Sequence, residues 1–247
     1  MNKAKKKRRW PINLVIALLF LSGLALIFNA PIRDFIINQN SNRYHISNVT
    51  RQQIEKNTEK KVTFDMNSVE PLSIQAVLAA QMDNQPLPVI GGIAIPELSV
   101  NLPIFRGVNN ISLMYGAGTM KADQVMGAGN YALASHTSSG FAGINQGNLF
   151  TPLQHAKNGM MIYITDKANI YEYKITSVRV MNRSHIEVID DVANRNMITL
   201  VTCETRGSDD RIIVQGDLTK KIAFNGAPND ILKSFELSYN VFYKPKS

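Results

Sequence analysis

The sequence predicts an all-β domain, a closed barrel or a sandwich, carried behind a single apolar N-terminal helix. Three observations support that expectation. From Leu87 onward, short runs rich in branched and aromatic residues recur between Gly, Asn and Asp turns. Two of these runs, Thr199-Leu200-Val201-Thr202-Cys203 and Arg211-Ile212-Ile213-Val214-Gln215, flank the segment 204–210, whose Gly207, Ser208, Asp209 and Asp210 give it turn composition. Residues 10–32 are almost continuously apolar, broken only by Asn13, Ser22 and Asn29.

At the N-terminus, Lys3, Lys5, Lys6, Lys7, Arg8 and Arg9 supply six of the +8 formal charges, so the rest of the chain carries only +2. A nearly neutral body gives no reason to expect a nucleic-acid partner. The apolar run that follows is long enough to cross a bilayer core of about 30 Å. The flanking Lys and Arg predict a cytoplasmic N-terminus, a single-pass topology and an extracellular domain. An uncleaved signal anchor is expected rather than a cleaved signal peptide. The run exceeds the usual h-region of ~7–15 residues, and Phe28-Asn29-Ala30 before Pro31 is a poor cleavage site. The first unit is therefore 1–32, a basic tail and anchor.

Residues 33–70 are polar and weakly periodic, and are expected to form an extracellular stalk with a short helix at 52–61 and a surface histidine, His45. Pro71 opens a helical stretch, 72–78, in a first-turn position where proline is favoured. The β domain is placed at 71–221. Strands are expected at 89–95, 98–104, 129–135, 160–165, 171–180, 197–203 and 211–218, with helical turns in 149–155 and 188–194. Pro103 marks an edge or a strand end. The span 222–247 is a C-terminal extension with a short helix at 231–235 and a tail at 243–247.

The chemistry centres on Cys203, the single cysteine of the chain. No internal disulfide is possible, and a free thiol retained in a translocated domain is informative. Antiparallel pairing across the 204–210 turn places Arg211 beside Cys203, and a thiol beside a guanidinium is a plausible reactive centre. The alternative is a buried cysteine acting as a small hydrophobe. A base is also needed, and His136, His155 and His185 are the candidates. His136 ends the strand Tyr131-Ala132-Leu133-Ala134-Ser135 before a polar loop, a position that suits catalysis. His155 and His185 read as solvated, and spacing ranks the three no further. No His or Cys pair has metal-ligand spacing, no acidic loop resembles an EF-hand, and Gly116-Ala117-Gly118 lacks the Lys and helix of a phosphate loop.

These residues resemble the sortase family, class A. The resemblance is carried by Leu102-Pro103-Ile104-Phe105-Arg106-Gly107, by Gly116-Ala117-Gly118-Thr119, and by the run from Gly127 through Asn130-Tyr131-Ala132-Leu133-Ala134-Ser135 to His136. It continues in Leu149-Phe150-Thr151-Pro152-Leu153, in Ile162-Tyr163-Ile164-Thr165-Asp166 and in the Thr-Leu-Val-Thr-Cys stretch ending at Cys203. It covers about residues 89–218. It implies a closed eight-stranded β-barrel and a cysteine transpeptidase acting on proteins with a Leu-Pro-x-Thr-Gly sorting signal. It further implies His136 as acid and base, Cys203 as nucleophile, and a lipid-linked peptidoglycan precursor as the acceptor.

By the same resemblance, Arg211 and the Glu204 backbone amide would face the oxyanion, with Thr202 steadying the site. Ala134, Ser135, Val201 and the loop 181–196 would shape the groove. Ser135 stands where the family often has Gly, a tolerable change. Some class A members bind calcium through acidic residues upstream of the histidine strand, but 121–127 offers only Asp123, so no cofactor is expected. A pilus-type sortase is the neighbouring reading, disfavoured because neither a lid segment nor a second membrane segment is visible. A non-catalytic membrane-anchored β binding domain, with Cys203 as core filler, is the reading from another class. A papain-like hydrolase is disfavoured because no long helix opens at the cysteine.

Overall fold

A computed structural model of the chain describes residues 10–82, 86–137, 148–205 and 208–239. Eight strands close into a barrel in the order β1-β2-β3-β4-β7-β8-β6-β5. They are β1 (Val89–Ile95), β2 (Val100–Phe105), β3 (Ala117–Thr119), β4 (Asn130–Ala134), β5 (Met161–Thr165), β6 (Asn169–Asn182), β7 (Met197–Cys203) and β8 (Asp210–Ala223). Closure leaves no open sheet edge, and side chains that alternate inward fill the interior. Ile93, Ile104, Leu133, Ile162, Ile164, Leu200 and Val214 are fully buried there.

Pro103 pairs with Gly92 in β2, while the parallel contact of β2 with β3 begins only at Ile104. A residue without an N–H therefore costs no ladder bond on that side. Two short elements of the barrel domain were not foreseen. One is β3, three residues long; the other is α5 (Asn110–Tyr115), whose first turn is closed by a capping box between Asn109 and Ser112. Both are too short to show a period.

The largest departure lies in 33–70. The helix α1 (Trp10–Ile27) runs into α2 (Asn29–Arg43), and α3 (Arg51–Thr58) follows. Instead of hanging free, this span packs on the barrel, with Ile37, Ile46 and Ile54 buried in the main core. Polar side chains make the remaining ties. Asn57 donates to Val89 O at 2.9 Å, and Lys167 Nζ donates to Ile46 O and Val49 O. A few well-placed apolar residues are enough to dock a polar segment, and average composition hides them. The helix expected from Leu72 begins later, as α4 (Ile74–Met82).

The C-terminal extension is also part of the packed body. β8 continues to Ala223, and α6 (Asn229–Glu236) buries Ile231 and Phe235 against the core. Tyr239 accepts a bond from Ile46 N at 2.6 Å, and its ring stacks on His45 at 4.4 Å. His45, expected at the surface, is thus half-buried, with its Nε2 3.1 Å from Leu237 O. The expected tail at 243–247 lies outside the described residues.

Candidate active site

Cys203 is the last residue of β7, and its Cα partner across the β7–β8 ladder is Arg211. The 204–210 turn brings them together as its composition suggests. β4 runs parallel to β7 with Ala134 opposite Val201, and Ser135 N donates to Val201 O at 3.2 Å. That register carries His136, the second residue beyond β4, alongside the end of β7. His136, Cys203 and Arg211 line one cleft of about 230 Å³. His155 and His185 are not among its lining residues, and His185 instead pairs with Glu187 at the surface.

Two threonines tie the histidine segment to the cysteine strand. Thr202 Oγ1 donates to Ser135 O at 2.9 Å, and Thr137 Oγ1 donates to Cys203 O at 2.5 Å. The two hydroxyl oxygens lie 2.8 Å apart. On the other side, His136 O accepts from Phe150 N at 3.3 Å. The backbone around the imidazole is therefore held from both flanks before any ligand arrives, as a preorganised site requires.

His136 is 8% exposed, and burial pushes its imidazole down from 6.5 to about 4. The unfolded chain binds this proton more readily than the folded one. The group's contribution to stability is thus complete above pH 6.5 and is lost as pH falls to about 4. Acid titration of the unfolding free energy should show a loss of roughly 3 kcal/mol across that window. A His136→Gln protein should show a flatter profile there. Equal slopes in the two proteins would assign the acid sensitivity elsewhere.

Arg211 Nη1 donates to Ser208 O at 2.6 Å and to Asp210 O at 3.1 Å, which fixes the guanidinium at the mouth of the turn. The Glu204 amide departs from expectation. Its N–H donates to Asp210 O at 3.0 Å, so in this arrangement the ladder holds it away from an oxyanion. Ser135 also turns inward, its Oγ donating to Gly116 O at 2.7 Å. It lines the cleft as a buried tie between elements rather than as a free hydroxyl.

Ala134 and Val201 belong to a second apolar cluster with Val108, Leu113 and Ile213. Met181, Val188 and Ile189 from the 181–196 region pack against it, as does Val69. Val69 lies in the segment whose polar composition predicts a stalk, and composition alone does not mark it as part of the cleft. In the fold, Met66, Val69, Glu70, Pro71 and Leu72 form one wall of the cleft. Val108 N donates to Thr63 O at 2.9 Å, and Glu70 N donates to Asn110 Oδ1 at 2.7 Å.

Gly107, with φ +76°, makes room for this strap. A Cβ there would sit 2.5 Å from Thr63 O. Replacing Val69 by Ser should raise KM for an acyl donor several-fold with kcat little changed, because an apolar wall contributes mainly ground-state binding. Equal KM in the two proteins would remove Val69 from the groove.

A family model described as the sortase domain matches residues 93–219, a span that contains His136, Cys203 and Arg211. The chain belongs to the sortase family. It is 48% identical to sortase A of Streptococcus agalactiae over 94% of this chain and 93% of that protein. It is 36% identical to sortase A of Listeria monocytogenes over 83% of this chain and 90% of that protein. The structure of the Listeria enzyme superposes with a TM-score of 0.53, covering 60% of this chain and 96% of that one. Sortase C-3 of Streptococcus pneumoniae, 16% identical with a TM-score of 0.56 over 80% of this chain and 98% of that one, shares the fold. The two sortase A relatives place the chain in class A. The enzyme is a sortase cysteine transpeptidase that anchors surface proteins.

Proposed function

We propose that this sortase cleaves Leu-Pro-x-Thr-Gly sorting signals between Thr and Gly and transfers the acyl part to the amine of a lipid-linked peptidoglycan precursor. The observation that carries the reading is the meeting of Cys203, His136 and Arg211 in one cleft of a chain with a single cysteine. Cys203 Sγ, as thiolate, adds to the Thr carbonyl carbon, and the negative charge moves to the carbonyl oxygen. Arg211 holds that charge, since a guanidinium keeps its proton throughout. The C–N bond then breaks as His136 gives its proton to the departing glycine nitrogen, leaving a thioester. In the second half His136 takes a proton from the incoming amine, the amine attacks the thioester, and the thiolate leaves.

Burial disfavours an isolated imidazolium at His136. An imidazolium at this position is therefore favoured only while a negative charge stands beside it to compensate. Calcium has no part in this reading. Lys121 Nζ lies 2.6 Å from Asp191 Oδ1, which also accepts from Asn130 N at 2.8 Å. A fixed ammonium thus joins the loop before β4 to the segment before β7, and a chelator should leave the rate unchanged. Helix α1, with none of its residues buried and apolar enough to cross a bilayer, serves as an anchor with its basic end in the cytoplasm.

Intact mass spectrometry after mixing with a Leu-Pro-x-Thr-Gly peptide tests the proposal. An acyl adduct on Cys203 that a glycine amine releases supports it. A folded protein that never forms the adduct would sink this substrate assignment.

A further inference from the structure

The junction between α1 and α2 contains no slack. Phe28 N donates to Leu24 O at 2.9 Å and Ile32 N to Phe28 O at 3.0 Å, so the backbone ladder continues from one helix into the other. The break at Phe28 has a local cause, because Pro31 has no N–H to offer Ile27. Helix α1 has 18 residues and is about 27 Å long, close to the depth of a hydrocarbon core. Whatever follows Ile27 therefore begins at the headgroup layer.

The two faces of α2 differ sharply. Arg33, Asp34, Ile37, Asn40 and Ser41 are buried against the domain. Ile32 and Phe35, one turn apart on the opposite face, are 46% and 67% exposed. Phe35 is only about 12 Å of helix beyond Ile27, within reach of the interface when the helix tilts. Large apolar side chains at that depth are accommodated by lipid.

We infer that the outward face of α2, presented by Ile32 and Phe35, lies in the membrane interface and seats the catalytic domain on the lipid surface. The inference rests on the reading of α1 as a membrane anchor. The seat is coupled to the active site. Asn148 Nδ2 donates to Asn38 Oδ1 on α2 at 2.7 Å, and the next residue, Leu149, bridges to Thr137 beside His136. A cleft held at this height faces substrates and acceptors that are themselves membrane-bound, so the orientation replaces the reach of a flexible stalk.

The test uses the full chain in vesicles of phosphatidylcholine and phosphatidylglycerol. Single cysteines replace Leu21, Phe35 or Val180 in a Cys203→Ala background and carry an environment-sensitive fluorophore. Lipids bearing nitroxides at shallow or deep positions serve as quenchers. The expected result is deep quenching at Leu21, shallow quenching at Phe35 and none at Val180. Quenching at Leu21 with none at Phe35 overturns the seat while leaving the anchor standing, and no quenching at Leu21 overturns the anchor. Disulfide cross-linking of Phe35→Cys chains without shallow quenching would assign the face to a second copy instead.

A functional arm inserts a flexible Gly-Ser segment of about 12 residues between Phe28 and Asn29. Attachment of membrane-held substrates should fall several-fold while turnover of a soluble peptide stays constant. Equal attachment with and without the insert would overturn the coupling.

Discussion

Cys203→Ala is expected to abolish transpeptidation, with no acyl adduct by mass spectrometry and no turnover above the uncatalysed rate. No other thiol exists in the chain to take over. The acyl-enzyme is the only route by which the energy of the cleaved peptide bond is kept for the new amide, so a water-mediated bypass cannot replace it. The fold should survive. Cys203 is half-buried at a strand end, and the ties around it use its backbone oxygen and the threonine hydroxyls rather than its sulfur. The stability change should stay within about 1 kcal/mol, measured by denaturant unfolding. A Cys203→Ala protein that still formed a covalent adduct, or that failed to fold, would overturn this account.

Arg211→Ala is expected to lower kcat/KM by about 10²- to 10³-fold, the loss of roughly 2.7–4 kcal/mol that accompanies removal of one oxyanion donor. The effect should be large because the other expected donor, the Glu204 amide, is engaged by Asp210 O. Arg211 also holds the turn through Ser208 O and Asp210 O, so a purely structural role must be separated from a chemical one. Single-turnover measurement of thioester formation does this. A chemical role slows acylation while the melting temperature stays near wild type, and Arg211→Lys recovers little, since an ammonium lacks the planar fork. If Arg211→Ala acylates as fast as the parent, the oxyanion assignment is wrong.

The Cys203–Arg211 pairing was legible because both residues flank one turn, and strand composition with a turn between implies antiparallel contact. Each strand of the barrel long enough to show composition could also be placed. The choice of His136 over His155 and His185 was not a matter of spacing. It came from resemblance, and geometrically it depends on the parallel β4–β7 pairing between residues more than sixty positions apart in sequence.

Local chemistry thus determined the apolar N-terminal helix, the main strands, the lone thiol and its neighbouring guanidinium. Each is set by residues close in the chain. Tertiary structure alone decided the Val69 wall, the engagement of the Glu204 amide, the docking of α2 and the burial that pushes His136 down. Each of these depends on which surfaces meet once the barrel closes. A polar segment reads as a spacer by composition, but the few side chains that reach the core decide whether it packs.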